Sequence, residues 1–358
     1  MNTEHKPTAV GGQALIEGLM MRSADKIAMA VRNSDGEIIL EKHQVKMPKK
    51  WVTKTPLIRG MVMLFASLKV GYKCLMRSAE IAGLDAIEQI DEEEATKELS
   101  EKQSKRQSKK EAKLAIKQAK KEEKAAKSQC ADNTSNTNEK SNNVLMGIVT
   151  VVAGILGVVL ALVLFMWLPE FLFSIASRLL SLDSAMSGYS LLQSASVGVI
   201  RIILFVSYMG ATSLMKDIRR TYMYHGAEHK AIYCHEQNLP LTLENVKAQS
   251  RFHPRCGTSF LIFMLIIGIF IGLLIPSDWN TLARTGTRFL LLPFIVGIGY
   301  EFIRFAGKKR GNKFVRLLSA PGIWLQKIST REPDDAMIEC AIVALESVLA
   351  QDEINTSE

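Results

Sequence analysis

Residues 144–168 form a 25-residue apolar run without a charge, the strongest structural signal in this chain. A helix of that length crosses a hydrocarbon core of about 30 Å, and helices apolar on every face belong in large cores or in bilayers. This run sets the class: a predominantly α, polytopic helical membrane protein. Residues 195–215, 259–275 and 289–305 supply three further apolar runs, so about four transmembrane helices are predicted. Arg201 is the one charge in the second and must snorkel or face another helix, while Glu301 and Arg304 sit near the end of the fourth and are read as an ion pair.

Charge placement orients these spans. Lys216, Arg219, Arg220, Lys230, Lys247, Arg251 and Arg255 lie between the second and third, and Lys308, Lys309, Arg310, Lys313 and Arg316 follow the fourth. The segment 169–194 has only Arg178. Excess Lys and Arg marks the cytoplasmic side, so a multi-pass protein of the bacterial cell membrane is expected, with both termini cytoplasmic. Trp279 suits an interface in the short outer loop, although Arg284 there runs against the bias. The formal charge of +9 follows from this asymmetry. Membrane lipids and a protein partner are therefore expected, and no specific nucleic acid. Residues 1–7 lack an apolar signal core, and five scattered cysteines suggest reducing surroundings.

Four regions follow. Residues 1–90 form a small N-terminal α/β unit, cytoplasmic or interfacial, with strands at 27–31 and 37–40 joined through Asp35 and Gly36. Residues 57–81 have helical spacing interrupted by Arg59, Lys69, Lys73 and Arg77, which fits an interfacial helix or one packed on the soluble unit. Residues 91–143 are a charged, flexible linker with too little apolar material for a core. Residues 144–306 form the membrane region, including a cytoplasmic His/Cys loop at 216–258, and 307–358 a C-terminal helical segment. Within the last, 321–328 can lie along the membrane. The helix at 333–349, with Thr330 as its cap, packs through Met337, Cys340, Ala341 and Leu345, and Cys340 is given no chemistry.

The chemistry concentrates in the loop. In His225-Gly226-Ala227-Glu228-His229 a helix would put both imidazoles on one face, able to share zinc or another divalent metal, with Glu228 placed to take a proton from water. His-x-x-Glu-His is the inverted zinc-protease order, although Gly226 weakens the helix. His253-Pro254-Arg255-Cys256 supplies a second cluster, and a short helix at 243–246 capped by Thr242 can return His253 toward His229. The expected ligands are His225, His229 and His253; Glu228 is the expected base, and Cys256 a fourth ligand or a nucleophile. A structural zinc site, histidines with local hydrogen bonds, and metal-free catalysis stay open beside this. Cys234 and His235 are left outside the site, and Arg255 is read as an anion contact or a topological charge.

Gly11-Gly12-Gln13-Ala14-Leu15-Ile16-Glu17-Gly18 lacks the Lys-Ser/Thr ending of a phosphate loop and the spacing of a dinucleotide fingerprint, so neither nucleotide nor NAD is expected. It reads as a structural turn or a ligand loop, with Gln13, Glu17 and Arg22 as polar contacts. This segment through Met20-Met21-Arg22, together with Tyr224 to Lys230 and His253 to Phe260, resembles the YqhQ family of bacterial membrane proteins. Tyr300-Glu301 and Thr330-Arg331-Glu332-Pro333 extend the resemblance over nearly the whole chain except the charged arm. It implies a membrane location and a metal-dependent activity.

Overall fold

The computed structural model describes residues 10–23, 26–45, 54–83, 152, 154–183, 186, 188–254, 256–276, 279, 281–308 and 313–350. The expected linker at 91–143 and Arg255 lie outside them. Met1–Ala82 and Leu160–Glu358 make one compact unit, and Gly83–Val159 another.

Four antiparallel strands open the first unit in the order of the chain: β1 (Gly11–Leu15), β2 (Gly18–Arg22), β3 (Lys26–Arg32) and β4 (Ile38–Gln44). The hairpin expected through Asp35 and Gly36 joins β3 to β4, with Gly36 at φ 85°. The glycine-rich segment holds a turn, at Ile16 and Glu17, between two strands that the sequence reading did not mark: β1 and β2, paired Gly11 to Arg22 through Leu15 to Gly18. Glycines that would weaken a free strand are kept here because neighbours press on them: a Cβ on Gly18 would strike the backbone of Ala30 and Val31.

Alternation along the strands divides their apolar residues between two faces. Leu19, Met21, Ala28 and Ala30 meet the buried residues of α4 (Lys216–Glu236) and α9 (Asp335–Leu349). Leu15, Met20, Ile27, Met29 and Val31 meet Cys74, Val70 and Leu75 of α1 (Ile58–Ile81). A sheet covered on both sides reads as continuous apolar strands, as β3 does. Outward, α1 exposes Phe65, Leu68 and Tyr72 beside Lys69 and Lys73, so the interfacial and packing readings each describe one of its faces.

Among the described residues, three helices are long and apolar enough to cross a membrane: α2 (Gly154–Leu179), α3 (Tyr189–Thr212) and the segment Leu282–Phe302 of α7 (Thr281–Lys308). The fourth expected span is the apolar helix α6 (Gly257–Gly272), whose 16 residues fall short of the roughly 20 a straight crossing needs. It packs against α3, α7 and α8 (Lys313–Ser329). The boundaries moved because charges that end an apolar run in sequence are buried here: Glu170 extends α2, and Arg284 and Arg288 belong to α7. Pro169 explains a local irregularity. It has no N–H for the carbonyl of Phe165, the helix widens into a π-turn over Val163–Trp167, and the Arg201 Nε–H donates to the Phe165 carbonyl at 2.8 Å. Arg201 thus faces another helix.

Between α4 and α6 lies α5 (Leu243–Lys247), capped by Thr242 as expected. Residues 321–328 form the later part of α8, and its Leu325 and Gln326 are fully buried. The cap of α9 is Asp334, which accepts from the Met337 N–H at 2.8 Å. Thr330, expected there, instead donates its hydroxyl to the Gln326 carbonyl at 2.7 Å, because residues 330–334 separate the end of α8 from the start of α9. The stripe of Met337, Cys340, Ala341 and Leu345 is buried as its spacing requires.

Candidate metal centre

The segment after α8 docks on α4 through its backbone. The Arg331 N–H donates to the Tyr222 carbonyl at 2.8 Å, and the Arg331 carbonyl rests where a side chain on Gly226 would stand. Gly226 therefore costs helix propensity but admits the neighbouring chain. Glu332 holds the dock, 3.0 Å from Lys230 and 3.3 Å from Arg251, and Arg251 also donates to the Thr330 carbonyl.

That docking supplies the partners that aim the histidines. His225 Nδ1 lies 2.8 Å from the Ser329 carbonyl, and His229 Nδ1 lies 2.6 Å from the Arg251 carbonyl. A carbonyl only accepts, so each Nδ1 carries its proton and each Nε2 is left for another partner. His225 Nε2 faces Cys256 Sγ at 3.2 Å, and the two rings are 4.4 Å apart. One ligand atom each from His225, His229 and Cys256 fall within 4.8 Å of one another. Cys256 arrives as the N-cap of α6, its sulfur accepting from the Thr258 N–H.

Electrostatics couple His225 to Cys256. Burial alone pushes the His225 imidazole down, yet the Cys256 sulfur outweighs it and carries the group up to about 9. Burial would raise the Cys256 thiol, but His225 and His229 hold it well below its ordinary value. Without a metal the pair keeps a proton between Nε2 and sulfur, and a metal would bind by displacing it. Burial raises the Glu228 carboxyl, with His225 and His229 opposing. Glu228 is covered by β1: a Cβ on Gly12 would come within 2.8 Å of its carboxyl carbon. Gly12 also lines a cleft of about 280 Å³ with Gln13, Arg22 and Ser67.

His253 takes another place. Its ring centroid is 5.7 Å from that of His229, its Nε2 is 3.4 Å from the Glu236 carboxylate, and it is outside the close group. The helix α5 does return it toward His229, but Gln326 fixes its backbone, accepting from its N–H at 2.7 Å and donating to its carbonyl at 2.8 Å. The Glu301 carboxylate is gripped by the Arg59 guanidinium of α1 and not by Arg304, which corrects the expected pair within α7. Cys234 is buried with its thiol 3.4 Å from the Pro240 carbonyl, a packing role. Gly12, Gln326, Ser329 and Arg331 were not singled out from sequence for the centre.

Two imidazoles with their Nδ1 protons given to carbonyls, plus a thiolate, are a donor set that fits zinc. Fold and site together define a helical, membrane-associated protein whose buried His225–His229–Cys256 group can hold a metal ion. Residues 55–351 match the family described as a protein of unknown function (DUF1385), and the chain belongs to that family. It is 33% identical over 352 residues to the uncharacterized protein YqhQ of Bacillus subtilis (strain 168), across 97% of this chain and 94% of that relative. The resemblance carried by the separate motifs is thus upheld at the level of the family. No solved structure matches the chain.

Proposed function

We propose that this protein is a metal-dependent hydrolase at the cytoplasmic surface of the bacterial cell membrane, with His225, His229 and Cys256 holding zinc or a related divalent ion. The observation that carries it is the convergence of ligand atoms from His225, His229 and Cys256 within 4.8 Å, with buried Glu228 electrostatically coupled to all three. A metal bound there supplies a Lewis acid and makes water nucleophilic at neutral pH. Glu228, beside the ligands and covered by Gly12, takes the proton of the attacking water and returns it to the leaving group. Ser329 and Arg251 hold the imidazoles to one tautomer through their carbonyls. His253, held against Glu236, positions the loop that delivers Cys256.

The side assignment rests on the basic residues of α4 and of the segment after it, with α6 counted as the fourth crossing and both termini inside. A noncatalytic scaffold that binds anionic lipid or a protein partner is favoured by one separate feature, the exposed Phe65, Leu68 and Tyr72 of α1 flanked by Lys69 and Lys73. Elemental analysis after purification without chelators decides between them. About one metal per chain is expected, lost in His225→Ala and His229→Ala and kept in Glu228→Gln. Metal absent from the wild type leaves the scaffold.

A further inference from the structure

Chain order puts α4 after the C-terminal end of α3 and Cys256 before the N-terminal end of α6, so the His–Cys group belongs to one end of the helix bundle. A second polar cluster forms at the other end. Arg284 and Arg288 lie in the first turns of α7, Gly272 is the last residue of α6, and Ser194 is in the second turn of α3, with its hydroxyl 3.1 Å from the Gly272 carbonyl. The Arg288 guanidinium donates to Glu170 of α2, and Arg284 Nη1 is 3.7 Å from the same carboxylate. A Cβ on Gly272 would lie 3.4 Å from the Arg288 guanidinium, so the glycine leaves room for it.

Relative exposure is 1% for Arg284, 4% for Glu170 and 6% for Arg288. Two guanidiniums thus meet one carboxylate, and one positive charge has no counter-charge in the cluster. The Nε and Nη2 of Arg284 and the Nε of Arg288 are buried with no hydrogen-bond partner among the described residues. Buried donors normally find partners, and a buried uncompensated charge is strongly disfavoured in protein or lipid. Both deficits are met by one group: a monoanion with several acceptor oxygens, for which paired guanidinium N–H groups are the matching donors. From this we infer that Arg284, Arg288 and Glu170 form a binding site for a monoanionic phosphate, either the phosphodiester of a phospholipid headgroup or dihydrogen phosphate. An apolar cleft of about 370 Å³ at the same end, lined by Ile275, Trp279, Thr287 and Leu291, favours the lipid source. Glu170 neutralises one guanidinium and limits the site to a single negative charge.

The test uses the full chain, delipidated in dodecyl maltoside, with phosphatidylglycerol or inorganic phosphate added separately. Thermal unfolding is followed by tryptophan fluorescence and bound ligand by native mass spectrometry. One equivalent of phosphatidylglycerol, with a saturable rise in unfolding temperature, supports the site with a lipid source. The same response to inorganic phosphate supports it with a free-ion source. Arg288→Gln should weaken that binding by at least about tenfold, the cost of one charge-assisted hydrogen bond. Glu170→Gln should bind more tightly, because it removes the competing carboxylate, whereas a purely structural ion pair would lose stability and respond to neither ligand. Should Arg288→Gln fail to fold, Glu170→Gln carries the decision alone. No bound ligand and no thermal shift in either arm would overturn the site, as would equal responses in wild type and Glu170→Gln.

Discussion

The layer made by the sheet, α4 and α9 and the bundle made by α2, α3, α6 and α7 differ in how their principal polar side chains are partnered. In the first, His225 is half-buried and His229 buried, and each has a named carbonyl acceptor supplied by a distant part of the chain. In the second, Arg201, Arg284 and Arg288 keep guanidinium nitrogens without partners among the described residues. Surfaces differ too: Phe289, Leu290 and Ile203 of the bundle face outward, while the sheet sends its apolar residues inward on both sides. One region aims its imidazoles through backbone carbonyls and presents three ligand atoms that converge. The other is apolar outside, where lipid suits it, and short of negative charge inside.

The largest effect is expected where the two halves of the metal centre touch. Gly226→Ala drives a methyl into the Arg331 carbonyl and should undock residues 329–333, at a cost of about 3 kcal/mol. A melting temperature lower by several degrees, with loss of bound metal, would be its signature. Gly12→Ala presses on Glu228 without touching the histidines, so it should alter any hydrolytic activity more than metal content. Equal loss of both would mean that β1 supports the ligands and not the base.

Next comes the ligand set itself. Cys256→Ser should weaken metal binding by about a hundredfold, a quarter or so of the free energy typical of a four-ligand zinc site. His253→Ala should leave stoichiometry intact, because that ring faces Glu236. The reverse order would restore the three-histidine set that sequence spacing suggested.

The smallest expected effect is electrostatic and belongs to the sheet edge. A hydrogen bond from Arg77 holds the Glu41 carboxyl below its usual range, with partial burial opposing. A depressed carboxyl stabilises the fold above its unfolded value, and that contribution is lost as pH falls through the folded value. Exposure limits it to about half a kcal/mol. Glu41→Gln should therefore lower unfolding temperature slightly at pH 7 and not at pH 3; an unchanged difference at both would assign the effect to packing.

Much of this was legible in the sequence, for physical reasons. Uncharged runs announced helices of spanning length, short segments either side of Asp35 and Gly36 announced β3 and β4, and the four-residue spacing of His225 and His229 put them on one face. Three things were hidden. Strand β1 looked like a loop because its Gly12 answers to contacts with Glu228 and the partner strand, not to local propensity. The exchange of His253 for Cys256 depended on Gln326, a residue far along the chain that clamps the loop backbone. The ends of α2 and α7 depended on Glu170 and the two arginines finding one another, which no window of hydropathy registers.

Cobalt substitution tests the central claim, that the separated motifs close on one thiolate and two imidazoles. Cobalt(II) bound to a thiolate gives an intense sulfur-to-metal charge-transfer absorption, absent when only nitrogen and oxygen ligate. The wild type and His253→Ala should both show that absorption at about one cobalt per chain, and Cys256→Ser should lose it. A cobalt site without sulfur absorption in the wild type, removed by His253→Ala and untouched by Cys256→Ser, would contradict the arrangement.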